Sequence, residues 1–532
     1  MRFKIFALII LILIIGFIWS YYQDYQKWSK KYTPTTGKTC TVFLIDGLDN
    51  EIFKEELKIG KLPVIANLIQ KSLYVEEGIS SFPTMTGYGF YPFITGNNAT
   101  ESGILGLRWF DRSRTEGNLR NYVGLTNIHM NADVSDTIMN FFELAGDTYT
   151  ASINTYMNKG VKHSEMTGWS HTTAKYEGKS IFYWLRAIPL IGEKIAPDHL
   201  NHETNVIEIA KKQALKNPKF QWITFPSPDA YNHVFGTDET YRYLLHHIDS
   251  LIGTYIQYTN QLGHAQTRSI AIVSDHGISD VDSNFNFLKW AKDSMGLEIE
   301  RGKSVHIFSS ALDEPLSNLK NKDGFFVING NLAAYLYMAN PNIKEDTLRW
   351  KSPISSDILT NYTIGNRLVN IPLQIAKNPE IELVLYKQDK HNIMVLHGDE
   401  KAKIHFENQK LSYSTIKGNP LSYPVEIIGK YLSYDEWLQN TVNTQYPYAV
   451  PRIFDLFTAN GIGDIVITSS KGVDLANDYE IFVGDYKGGH GALRKEVISV
   501  PYVYYRPEFS KSFKKTLTNE DLGKMIKNYI FE

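Results

Sequence analysis

A single cysteine, Cys40, stands in a chain of 532 residues, which excludes any intrachain disulfide. It opens the apolar run TCTVFLID and reads as a small buried hydrophobe. An excess of either charge is also missing: 55 basic and 57 acidic residues leave a formal net charge of −2. A phosphate backbone requires a concentrated positive surface, so nothing here argues for a nucleic-acid polymer as partner. Internal repeats and low-complexity tracts are absent. One long apolar run stands out, Ile5 to Trp19 (IFALIILILIIGFIW), preceded by Arg2 and Lys4. No small-x-small cleavage site follows in YYQDYQKWSKKY, and aromatic residues sit where interfacial anchors lie. The run is therefore expected to be an uncleaved membrane anchor, with an extracytoplasmic catalytic domain. Cleavage would instead give a secreted or periplasmic protein.

What is present describes a globular chain: 43% hydrophobic, 21% charged and 13% aromatic residues. From residue 39 strands and helices alternate. TCTVFLID, DTYTASIN, KFQWITF and RSIAIVSD read as strands, and KLPVIANLIQKS as a helix. Tyr241, Leu244, Leu245, Ile248, Leu251, Ile252, Tyr255 and Thr259 recur at helical spacing, giving one long amphipathic helix. This pattern predicts an α/β fold with a mostly parallel sheet and helices on both faces. Between about residues 365 and 420, IELVLY, NIMVLH, AKIHF and KLSYS alternate and are joined by polar turns, an inserted antiparallel β-meander. The α/β pattern is expected to resume with DIVITS and YEIFVG. The expected organisation is an anchor or signal segment and linker over 1–35, a first part of the catalytic core over 36–300, an insertion over 301–454 and the last part of the core over 455–532.

Seven residues carry the chemistry: Asp46, Thr86, Asp229, His233, Asp275, His276 and His490. Asp46, Asp229 and Asp275 each follow a predicted strand, and the carboxyl ends of strands are where open α/β sheets bind ligands. Imidazole and carboxylate together suit zinc or a similar divalent metal, and two metals can clamp both oxygens of an in-line displacement. Taken singly, each residue has a plainer reading. Asp46 could cap the next segment, Asp275-His276-Gly277 could be an ordinary turn, and His233 a satisfied histidine. His246 and His247 lie on the long helix without a carboxylate set and read as a solvated face. FYWLRAIPLIGE (182–193) reads as packing rather than a lid. Trp109 and Phe110 read equally as core or as a stacking platform.

The segment Ser81-Phe82-Pro83-Thr84-Met85-Thr86 resembles the nucleophile segment of the type I phosphodiesterase/nucleotide pyrophosphatase family of the alkaline phosphatase superfamily. FLIDGL, FPSPDAYNHVFG, VSDHGISD and KGGHG then match the family's metal-ligand segments in order. Chance would have to supply all seven ligand types in that order. The resemblance implies an alkaline-phosphatase-like fold and two divalent ions, zinc by analogy. Asp46, Thr86, Asp275 and His276 would hold one, Asp229, His233 and His490 the other, with Thr86 as nucleophile. The implied activity is hydrolysis of a phosphodiester or pyrophosphate bond through a phosphothreonine. A phosphomonoesterase or phosphoryl transferase on the same site is the alternative, and a noncatalytic binding protein would require a lost ligand. Gly89 stands where nucleotide-hydrolysing members carry asparagine, so the resemblance leaves the substrate's nucleotide character open.

Overall fold

The computed structural model describes residues 35–114, 118–122, 130–167, 199–302, 316–476, 486–508 and 510–532. The apolar run Ile5–Trp19, the segment 182–193 and YEIFVG lie outside these residues. Among the described residues, no helix is long and apolar enough to cross a membrane.

TCTVFLI forms the strand Thr39–Ile45, buried at every position as its unbroken apolarity demands. It lies inside an eight-stranded sheet whose order is Ser512–Thr518, Ser72–Ile79, Ser499–Tyr505, Arg268–Val273, Thr39–Ile45, Phe220–Phe225, Ala151–Ile153, His163–Glu165. All strands run in one direction except Ser499–Tyr505, which is antiparallel to both neighbours. Alternate side chains feed two cores. Phe43 and Ile45 pack with Ile207, Ile248 and Ile252 from helices on one face, whereas Val42 and Leu44 join Phe93, Trp222 and Ile526 on the other. The expected mostly parallel α/β sheet, covered on both faces, is thus observed.

The long helix Glu239–Gln261 buries the expected stripe, and Asp238 caps it by accepting from Thr240 N and Tyr241 N. Its buried Asp249 also serves a neighbour. The helix Pro63–Ile69 has no side-chain cap of its own, and Asp249 accepts from Val64 N at 3.1 Å and Ile65 N at 2.8 Å. His246 and His247 are half-buried rather than merely solvated. His246 Nε2 lies 2.7 Å from Glu56 Oε2, and His247 Nε2 lies 2.9 Å from Thr204 Oγ1. Both partners are remote in sequence, which is why spacing on the helix alone did not indicate them.

The meander forms as expected, with strands Ile381–Lys387, Asn392–His397, Glu400–Glu407 and Lys410–Lys417 paired antiparallel in succession. It belongs to a second eight-stranded sheet that also contains Gly324–Asn329, Ala333–Met338 and Ile465–Ser469. DIVITS therefore does not return the chain to the first sheet. Ile465–Ser469 sits between Ala333–Met338 and Ile381–Lys387, antiparallel to both. A short apolar run reports burial but not which sheet completes it.

Buried arginines tie the two sheets together. Arg494 donates to Glu382 Oε2 at 2.7 Å and to Ser469 O at 3.0 Å. Arg452 pairs with Glu520, donates to Asn519 Oδ1 at 2.9 Å, and reaches Ser80 O at 2.8 Å just ahead of the SFPTMT segment. Removing one member of a buried pair leaves the other charge uncompensated, which costs about 3–5 kcal/mol. Arg452→Ala should therefore lower unfolding free energy by about that amount in urea titration, well beyond the ~0.5 kcal/mol of a surface change.

Candidate active site

Six of the seven side chains lie beyond the end of a strand of the first sheet, and His490 follows a strand of a separate three-stranded sheet. Asp46 follows Thr39–Ile45, and its N–H donates to Phe225 O at 3.1 Å. The helix cap in this loop is Asp49, which accepts from Ile52 N, so Asp46 is left for other work. Phe220–Phe225 runs into the helix Ser227–Phe235, where Pro228 occupies the first turn. Asp229 and His233, four residues apart on that helix, share a face: His233 Nε2 lies 3.3 Å from Asp229 Oδ2. Gly47 has φ +63°, and a Cβ there would lie 2.8 Å from Asp229 Cβ, so a glycine is needed for the two loops to meet. Asp275 and His276 follow Arg268–Val273, fully buried. Thr86 lies beyond Ser72–Ile79 in a segment bound on several sides: Ser80 Oγ donates to Asp275 O, and Asn519 Nδ2 to Ser81 Oγ at 3.0 Å. His490 follows Gly488–Gly489.

The seven residues converge. Thr86 Oγ1 is 3.4 Å from Asp46 Oδ1 and 3.3 Å from His276 Nε2. His276 Nε2 lies 3.4 Å from Asp46 Oδ1 and 3.6 Å from Asp275 Oδ2, and His490 Nε2 lies 3.8 Å from Asp229 Oδ1. Two clusters offer ligand atoms all within 4.8 Å of one another: Asp46, Asp275 and His276, and Asp229, His276 and His490. His276 belongs to both because its ring stacks on that of His490, with centroids 3.7 Å apart and planes 13° apart. His233 flanks the second cluster, its ring 5.2 Å from that of His490.

Each imidazole has its other nitrogen against a main-chain carbonyl. Nδ1 lies 2.8 Å from Gly488 O in His233, 2.9 Å from Gly277 O in His276 and 2.7 Å from Thr84 O in His490. A carbonyl can only accept, so Nδ1 carries a proton and Nε2 is the nitrogen turned toward the carboxylates; against burial, Asp229 raises His233, whose Nε2 would give up a proton to bind a cation. These three carbonyls escaped sequence reasoning, since any residue can supply a carbonyl.

Electrostatics point the same way. Burial raises the Asp46 carboxyl well above the usual range, and the neighbouring Asp275 adds to this. Burial also raises Asp275. Asp229 suffers burial too, but His233 and then His490 hold it below the usual range. Burial and the facing His276 push His490 well below the ordinary imidazole range. Among the described residues, no amide, hydroxyl or basic side chain donates to either oxygen of Asp275 or to Oδ1 of Asp229, although all three atoms are buried. Buried carboxylate oxygens without donors, facing imidazole lone pairs, form a donor set that fits divalent metal.

Three further positions are resolved by packing. At Gly89 a Cβ would lie 3.0 Å from Asp275 Cβ and Asp275 O, so the loop bearing Asp275 leaves little room for a side chain there. Phe110 is core, within 5.5 Å of the Tyr337 ring, and Trp109 is also buried, its Nε1 donating to Tyr122 Oη at 3.4 Å. Neither is an open stacking platform.

The sequence profile of the family described as type I phosphodiesterase/nucleotide pyrophosphatase matches residues 40–412. The chain belongs to this family. It is accordingly a hydrolase, metal-dependent as the family is. No curated protein matches it in sequence. Among solved structures it is similar to human ectonucleotide pyrophosphatase/phosphodiesterase 5, with 13% identity, a TM-score of 0.51, and 93% of this chain and 95% of that chain covered. The murine counterpart, an inactive threonine-to-alanine variant in complex with AMP, matches with 10% identity, a TM-score of 0.51 and the same coverage. At such identity the likeness speaks for the fold.

A carboxyl whose pKa folding raises contributes stability while protonated and loses it as pH climbs from about 4 through the raised value. Asp46 and Asp275 are of this kind, whereas Asp229, held low, adds stability at higher pH and loses it as pH falls. With chelator present at about pH 8, Asp46→Asn should therefore melt higher than the wild type, by roughly 1 °C for each kcal/mol of relieved repulsion in a chain of this length. With zinc added, the wild type should melt higher. Thermal melts read both, and a chelated variant no more stable than wild type would contradict the repulsion.

Proposed function

We propose that the protein hydrolyses phosphodiester or pyrophosphate bonds through a phosphothreonine at Thr86, within a centre of two divalent ions, zinc being the metal its imidazoles and carboxylates suit best. The observation that carries this reading is the Thr86 hydroxyl at 3.4 Å from Asp46 Oδ1 and 3.3 Å from His276 Nε2, two residues of one candidate metal cluster. The inactive threonine-to-alanine variant of the murine neighbour is in keeping with a nucleophilic threonine.

Asp46, Thr86, Asp275 and His276 would hold one ion, and Asp229, His233 and His490 the other. When bound, such ions neutralise the carboxylates, attract the phosphate and lower the pKa of a hydroxyl or water. The chain's own residues do the rest. Asp46 Oδ1 is placed to accept the Thr86 hydroxyl and aim its oxygen. Thr86 Oγ1 bonds to phosphorus as the bond to the leaving oxygen breaks on the opposite side, and that oxygen takes up a proton. Water then attacks the same phosphorus, Thr86 departs as the second leaving group and regains its proton, and phosphate or its monoester is released. The Nδ1–carbonyl bonds of His233, His276 and His490 hold each ring in one tautomer throughout.

The substrate is a phosphate ester in solution. The apolar run Ile5–Trp19 tethers the catalytic body to a membrane on its extracytoplasmic side, and cleavage after the run would release it.

Purified protein supplied with zinc should cleave bis-p-nitrophenyl phosphate faster than p-nitrophenyl phosphate, with p-nitrophenyl esters of nucleotides as the third comparison. Thr86→Ala should reduce diester cleavage by about a thousandfold or more. Unchanged cleavage in that variant would sink the mechanism, and faster monoester cleavage by the wild type would install the phosphomonoesterase in its place.

A further inference from the structure

The proposed nucleophile is preceded at two residues' distance by a second threonine that never faces the site. Thr84 is fully buried, and among the described residues its hydroxyl and carbonyl contacts go to one segment, His490–Ala492. Its carbonyl accepts from His490 Nδ1 at 2.7 Å. Its hydroxyl accepts from Gly491 N at 2.7 Å and donates to Ala492 O at 3.2 Å. The segment has one further main-chain anchor, from the second sheet: Leu332 N donates to His490 O at 2.8 Å. His490 is thus gripped between the turn that joins Gly324–Asn329 to Ala333–Met338 and the nucleophile segment itself.

We infer that Thr84 is a positioning residue that couples the nucleophile segment to one half of the metal centre by fixing His490. The inference rests on the proposed reading of His490 as a ligand. Burial leaves water no access to Gly491 N, so loss of the hydroxyl strands a donor and frees the segment to shift. His490 lies 404 positions from Thr86 in sequence, so the fold brings them together only through such contacts. Holding His490 from the backbone of Thr84 sets its ring against that of His276, and therefore sets the spacing of the two ligand clusters. Threonine suits the position because one hydroxyl can accept and donate at once, and its methyl fills the core around it.

The test is metal binding by full-length protein stripped with chelator and titrated with Zn2+, with metal content read by elemental analysis and affinities by calorimetry. Contacts of this kind are worth about 10–100-fold in metal affinity. Thr84→Val, which keeps shape and carbonyl but lacks the hydroxyl, should weaken one of two zinc sites by about that factor and spare the other. Thr84→Ser should bind both ions as the wild type does. Should the valine variant fail to fold, Thr84→Cys, with a weak acceptor of similar size, takes its place and should show the same one-site loss in smaller measure. Wild-type affinities in the valine or cysteine variant would overturn the proposal, as would equal weakening of both sites that serine does not restore. His490→Ala separates the two claims. If it loses one ion while Thr84→Val loses none, only the positioning role fails. If it keeps both ions, the ligand assignment fails and the positioning role goes with it.

Discussion

Mutual repulsion among buried carboxylates is the constraint on which this structure turns. Asp46, Asp229 and Asp275 are carried by three different strand ends to one point, where both oxygens of Asp275 and Oδ1 of Asp229 are buried without a donor among the described residues. Folding alone would not favour this arrangement, because desolvated like charges oppose it. The histidines offset only part of it, since His490 is itself held away from its charged form. A cation binding at the point converts a liability of the fold into its chemical resource.

The scaffold is built to keep that point from relaxing. Gly47 lets the Asp46 and Asp229 loops approach, Arg452 and Asn519 hold the segment leading to Thr86, and Thr84 holds the segment bearing His490. Several of these supports come from outside the parallel sheet. The turn after Gly324–Asn329 belongs to the second sheet, and so do the strands that Arg494 grips. The second sheet is thus part of the wall of the site, and a change in its turn would be felt at His490.

Much of this was legible in the sequence, for reasons that differ by residue. The parallel core could be read because TCTVFLID and RSIAIVSD are apolar throughout, as central strands must be. Asp46, Thr86 and the histidines could be singled out because their segments resemble the family's motifs in order, whereas residue type alone leaves Thr86 undistinguished. The role of Ile465–Ser469 could not, because a short apolar strand fits either sheet equally and only the final pairing decides. The supports of the histidines were likewise hidden, since Gly488, Gly277 and Thr84 act through carbonyls. The pairings of His246 with Glu56 and His247 with Thr204 depend on helix packing that periodicity does not specify.

The central claim is that Thr86 attacks phosphorus at this crowded centre, and trapping the intermediate tests it most directly. Zinc-loaded protein mixed with bis-p-nitrophenyl phosphate and quenched in acid within one turnover should release one p-nitrophenol and yield a single modified peptide, with the remaining p-nitrophenyl phosphoryl group on Thr86 by tandem mass spectrometry. That phosphoryl group on another side chain, or product release with no covalent adduct at any quench time, would contradict the account.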